Sequence, residues 1–193
     1  MIQVNVLYEK FPQHVTVCGR RYRIITNFRE WIKFIELIED DAIRNHEKIL
    51  LMMQWYIDIP TEYEEAIYAL GQFLGGNEND IFLDDKNKAE QVGQISQAFS
   101  FTEDAECIYC AFLQCYGIEL DTVAYMHWWK FKILFEGLPD NTEIKQRIQY
   151  RTINLSEIKD KEERKRIRKI KKQIVLQSAN KKPGDYEIGD MFL

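Results

Sequence analysis

The 193-residue chain has no run of apolar residues approaching the ~20 that cross a bilayer, so no membrane segment is expected. Its start, Met1-Ile2-Gln3-Val4-Asn5, lacks the basic, apolar and small-residue regions of a signal peptide, which makes a cytoplasmic location the expectation. No glycine loop for phosphate is present, because Gly75-Gly76 is followed by acidic residues instead of a Lys-Ser/Thr pair. Only three histidines occur, His14, His46 and His127, and none has a Ser, Cys or paired-carboxylate constellation around it. Neither an active site nor a cofactor is therefore expected, and His127 reads as a hydrogen-bonded core histidine. The four cysteines, Cys18, Cys107, Cys110 and Cys115, lack the paired spacing of a zinc site, so reduced, buried thiols without metal are expected. Glu78, Asp80, Asp84 and Asp85 lack the ordered ligand spacing of a calcium loop, and residues 75–88 read as a solvated acidic loop.

What remains is ordinary globular composition, 46% hydrophobic and 30% charged, in a length that suits one domain. The richest stretch is His127-Trp128-Trp129-Lys130-Phe131, continuing through Ile133, Leu134 and Phe135. Residues 121–136 read as a buried helix with Asp121 or Thr122 as cap. Ala124, Trp128, Phe131 and Phe135 share one stripe, and Met126, Trp129 and Ile133 a second. Gly137 and Pro139 close it.

Along the chain, Val15 and Val17, then Tyr22 and Ile24, alternate with polar neighbours around Cys18-Gly19, which predicts a β-hairpin within residues 1–26. Ile2, Val4 and Val6 predict a further short strand. Asn27 with Glu30 forms the sequence signature of a capping box, opening a helix whose buried face holds Phe28, Trp31, Ile32, Ile35 and Ile38. Further helices are predicted over 43–56, from Thr61 to Gly75, from Thr102 to Gly117, and from Asn141 or Thr142 to Tyr150. Residues 94–99 read as a short helix or extended link. The fold class is thus mainly α, a compact multi-helix domain over 1–155, followed by a basic helix at 156–176 and a flexible tail at 177–193. Trp31, Trp128, Trp129, Phe131, Phe135 and Tyr150 are the expected core.

Charge is distributed unevenly. From Lys145 to Lys182 there are 14 Lys or Arg against 4 acidic residues, a local +10, while the remainder carries 12 against 27, or −15. The last predicted helix, started by Ser156 or Asp160, has a thin seam of Ile167, Ile170 and Ile174 flanked by Arg164, Lys165, Arg168 and Lys171. A helix that gains so little from its own core could present this seam to a partner helix. The alternative is a solvated basic face over the acidic body of the same domain. Nucleic acid is a weaker match for this run, since no aromatic is interleaved with its charges between Ile153 and Val175. In the tail, Met191-Phe192-Leu193 reads as a small docking motif.

Several unusual clusters occur in one order: Asn27-Phe28-Arg29-Glu30-Trp31, Tyr56-Ile57-Asp58-Ile59-Pro60, Tyr116-Gly117-Ile118-Glu119-Leu120, His127-Trp128-Trp129-Lys130-Phe131, Gly137-Leu138-Pro139, and Tyr150-Arg151 ahead of the basic helix. Over residues 14–176 the chain resembles a family of tail-cluster proteins from long-tailed bacteriophages, named after a fifteenth gene product. The resemblance implies a tail assembly chaperone that binds the tape-measure protein and tail tube subunits. Such a chaperone would act in the host bacterial cytoplasm and be absent from the finished virion, with self-association as a further expectation. It carries no catalytic residues. A nucleic-acid-binding protein and a minor structural component of the tail are the competing readings.

Overall fold

In a computed structural model, residues 5–75 and 98–177 are described, and they are mainly α with one two-stranded antiparallel sheet, as the periodicity predicts. Strands β1 (His14–Val17) and β2 (Arg20–Arg23) precede helices α1 (Phe28–Glu39), α2 (Asn45–Met52) and α3 (Tyr63–Gly75). Helices α4 (Ala105–Tyr116), α5 (Trp128–Glu136), α6 (Glu143–Thr152) and α7 (Lys161–Gln173) follow. The described residues fall into two compact units, 5–75 with 118–137, and 98–117 with 138–177. Residues 156–176, set apart in sequence by their charge, belong to the second unit. The acidic loop after Gly75, most of the 94–99 link, Ile2 and Val4, and the tail from Ser178 with Met191-Phe192-Leu193 lie outside the described residues.

In the first unit, the hairpin pairs His14 with Arg23 through to Val17 with Arg20. Its two-residue turn puts Cys18 at φ 45° and Gly19 at φ 79°. Positive φ at both central positions is what a type I′ turn demands, and glycine supplies it without a Cβ penalty. Val15 and Val17 point inward and are buried. The short strand expected around Val6 does not form there: Val6 lies exposed in a turn in which the Tyr8 and Glu9 N–H groups donate to the Asn5 carbonyl.

Asn27 caps α1 through its side chain, which accepts from the Arg29 N–H at 3.1 Å. Glu30 pairs with Lys33 at 2.9 Å. The buried face of α1 is more aromatic than the sequence pattern suggests. Phe28, Trp31 and Phe34 are buried, whereas Ile32, Ile35 and Ile38 are half-buried. Phe34 gains its place because its ring lies 5.1 Å from that of Trp31 and 5.0 Å from that of Trp55. The helix expected over 43–56 stops at Met52 and tightens into a 3-10 turn at Met53–Trp55. Tyr56 then leaves in extended conformation to bridge Ile24.

The largest correction concerns the tryptophan helix. It begins at Trp128, not near residue 121, and its N-cap is His127, whose Nδ1 accepts from the Trp129 N–H at 3.1 Å. Residues 119–123 form a turn in which the Thr122 and Val123 N–H groups donate to the Glu119 carbonyl. The chain then runs extended into a two-way exchange: Phe28 N–H donates to Met126 O at 2.9 Å, and Trp128 N–H donates to Thr26 O at 2.8 Å. The first amides of α1 and α5, which have no partner inside their own helices, are thereby satisfied by each other's lead-in strand. A helix starting at 121 would forfeit both bonds. Ile133, assigned to a buried stripe, is 44% exposed.

The core of the first unit is a stack of rings. Trp31, fully buried, lies 4.8 Å from Phe73 and 6.4 Å from Trp128, and Phe28 stacks on Phe131 at 4.8 Å. Each of the four indole N–H groups has a carbonyl partner: Ile25 for Trp31, Glu30 for Trp55, Leu74 for Trp128 and Phe73 for Trp129, at 2.8–3.1 Å. The last two carbonyls lie in the final described turn of α3. Lys132 adds its ammonium to the same end, donating to Leu74 O and Gly75 O. The tryptophan pair thus both fills the core and caps α3.

His127 is buried, with Nε2 2.9 Å from Pro12 O and its ring stacked on Phe11 at 4.9 Å. Because Nδ1 must accept from Trp129, the proton sits on Nε2 and is donated to Pro12. Burial holds its pKa below the ordinary 6.5, against the raising effect of the Pro12 contact. The unfolded chain then binds a proton near pH 6.5 that the folded chain refuses, so stability is full above that pH and declines as pH falls below it. Urea melts are expected to lose up to about 1.4 kcal/mol per pH unit from this single proton. His127→Asn, which keeps a capping oxygen and removes the titration, is expected to flatten that part of the slope. An unchanged slope would show that His127 does not carry it.

Candidate interaction surface

The second unit is organised around a buried carboxylate that sequence reading passes over. Asp104, 1% exposed, ends the turn before α4 and accepts from Arg151 at 2.5 and 3.0 Å, from Arg147 at 3.2 Å and from the Ser100 N–H at 3.1 Å. Burial alone would raise its pKa, but the Arg151 and Ser100 hydrogen bonds and the Arg147 guanidinium outweigh it and hold the carboxyl below the ordinary range. Arg151 also donates to Ile174 O at 2.7 Å and Ala98 O at 3.1 Å. One guanidinium therefore joins three separate stretches of the unit, including the end of α7. Asp104 takes the position before α4 expected of Thr102, and Gly117 closes that helix at φ 64° as predicted.

The structure divides the basic helix into an inner and an outer set. Asp160 caps α7, accepting from the Glu162 and Glu163 N–H groups at 2.8 and 3.3 Å. Ile167 is buried and Ile170 and Ile174 are half-buried, so the isoleucine seam packs within the chain. Arg164 donates to Ile158 O and Lys171 to Ile153 O. Of the residues predicted to meet a partner, Lys165 and Arg168 alone are exposed. They share their face with Lys161, Lys169 and Lys172, also exposed, and Arg166 is exposed on its flank. Among the described residues, none of these six cations makes an ion pair. Leu176, beyond the helix, is 2% exposed and extends the buried side past the seam.

The remaining expected site and core residues fall as follows. Trp31, Trp128, Trp129, Phe131 and Phe135 are buried, and Tyr150 is half-buried. The four thiols are free but not buried: Cys18, Cys110 and Cys115 are exposed and Cys107 is half-buried. Cys18 occupies the hairpin turn, while the buried side of α4 belongs to Ile108, Ala111 and Phe112. No helix among the described residues is long and apolar enough to cross a membrane.

The clusters that carry the family resemblance are mostly brought together as scaffold. Asn27 and His127 pair directly, Arg29 reaches the Leu120 carbonyl at 2.5 Å, and Tyr56 donates its hydroxyl to Ala66 O at 2.9 Å. No curated protein and no solved structure matches the chain. The family described as "Bacteriophage Gp15 protein" matches residues 7–176, a span that contains both units' described helices and the outer face of α7, and the chain belongs to that family.

Proposed function

We propose that this phage protein is a non-enzymatic tail assembly chaperone that binds the tape-measure protein, the tail tube protein or both while the tail is built. Family membership supports a phage role, and the observation that carries the binding reading is the outer side of α7, where six exposed cations make no ion pair among the described residues. A face so charged contributes nothing to the protein's own core, and steers association with an oppositely charged surface.

Co-expression of the tagged chain with the tape-measure protein of the same phage tests the proposal. The tape-measure protein is expected to co-purify at low salt, and mass spectrometry of purified virions is expected to lack this chain. Recovery of the chain in virions at stoichiometric amounts would make it a tail component instead. Failure to capture either tail protein would overturn the chaperone reading.

A further inference from the structure

The outer face of α7 combines three features that together restrict what can cover it. Its cations lie at helical neighbour spacings, Lys161 with Lys165, Lys165 with Arg168 and Lys169, and Arg168 and Lys169 with Lys172. Like charges three or four positions apart repel and weaken a helix. Glu162 is the one carboxylate beside them among the described residues, and it forms no ion pair with any of them, whereas Arg147, Arg151, Arg164 and Lys171 in the same unit all have acceptors. A local rule broken with one carboxylate against six cations is the mark of a surface shaped for something outside the chain.

We infer that this face docks a carboxylate-rich helical segment of a partner protein, whose acidic side chains stand at the same three- and four-residue spacing. The face from Lys161 to Lys172 spans about 17 Å at ~1.5 Å per residue, three turns of a facing helix. The inward side chains, Ile167 among them, are already used, so the contact is made by charge and the aliphatic stems of Lys and Arg. Nucleic acid shares the negative charge but matches less of the molecule. No aromatic lies on this helix for bases to stack on, and the helix N-terminus, where a phosphate would bind, is occupied by Asp160, Glu162 and Glu163. Outside Lys145 to Lys182 the chain carries 27 acidic residues against 12 basic ones, which repels a long polyanion extending beyond the ridge.

This inference specifies the partner chemistry of the proposed chaperone and rests on that reading for its biological setting, but its test does not depend on it. The full chain is titrated against a fluorescein-labelled helical peptide carrying Glu at i, i+3, i+4 and i+7 over three turns, with anisotropy read at 50 and 300 mM NaCl. Binding is expected at 50 mM and is expected to weaken at least tenfold at 300 mM. The K165Q/R168Q/K172Q variant is expected to weaken binding at least tenfold at 50 mM, and K165E/R168E/K172E to abolish it, with helical circular dichroism and melting unchanged in the Gln variant. Equal peptide binding by wild type and the Gln variant would overturn the assignment, as would a 20-base-pair DNA duplex that binds more tightly than the peptide. Peptide binding without capture of any tail protein in co-expression would leave the docking face standing and sink the chaperone reading.

Discussion

Replacing Trp129 by Ala is expected to destabilise the protein by about 3–5 kcal/mol, measured as a lower urea midpoint with the slope retained. The side chain is 8% exposed, lies 5.4 Å from Phe73 ring to ring and 6.3 Å from His127, and donates from its indole to the Phe73 carbonyl at 2.8 Å. Truncation therefore opens a cavity and removes a donor from the Phe73 carbonyl at the same time. Trp129→Phe separates the two effects. It keeps most of the ring volume and removes the donor, so about 1–3 kcal/mol is expected for the lost buried hydrogen bond. A Phe variant as unstable as the Ala variant would show that capping of α3, not packing, dominates. Full stability of the Ala variant would place the tryptophan pair at the periphery.

The second large effect is expected at Arg151. Arg151→Met retains much of the side chain's length but leaves Asp104 buried with Arg147 as its remaining guanidinium and frees the carbonyls of Ala98 and Ile174. Removing one member of a buried pair costs about 3–5 kcal/mol, and the single Arg147 contact at 3.2 Å and the Ser100 N–H compensate the remaining charge only in part. Changing both, Asp104→Leu with Arg151→Met, is expected to cost less than the sum of the single changes, since no orphan carboxylate is left. The acid limb carries an independent signature. Asp104's folded pKa is depressed, so its contribution is complete above the unfolded value of about 3.9 and disappears as pH falls through the folded value. Arg151→Met is expected to move acid unfolding to higher pH. An acid transition identical to that of the wild type would remove Asp104 from the account.

Much of this was readable from residue order, and the failures have a common physical origin. The hairpin followed from Val15, Val17 and the Cys18-Gly19 turn because local chemistry settles it. The opening of α1 followed from Asn27 for the same reason. The start of α5 did not, because residues 121–127 have no local reason to avoid a helix. What ends the helix is a pair of hydrogen bonds to a strand far away in sequence. Asp104 likewise looks like any acidic residue near a helix start, and its role exists only once α6 delivers Arg147 and Arg151 to it. For α7 the period was right and the direction was not decidable. The pattern shows which residues share a side, but Ile167 and Lys165 exchange meaning according to which side the rest of the chain covers.

The exchange between the lead-ins of α1 and α5 joins residues a hundred positions apart, Asn27 opposite His127. On a ribosome adding roughly 5–20 residues per second, α1 and α3 are complete roughly 3–10 s before the tryptophan pair is made. In that interval Phe28, Trp31 and Phe73 exist without the rings that stack on them, the amide of Phe28 lacks its acceptor, and the last carbonyls of α3 lack their indole and ammonium donors. The stretch that carries α4 must emerge inside the first unit's unfinished loop before that unit can close. The nascent protein is thus most exposed to aggregation just before residue 128 is added, and a chain interrupted between Gly117 and His127 would carry an aromatic surface with nothing to cover it.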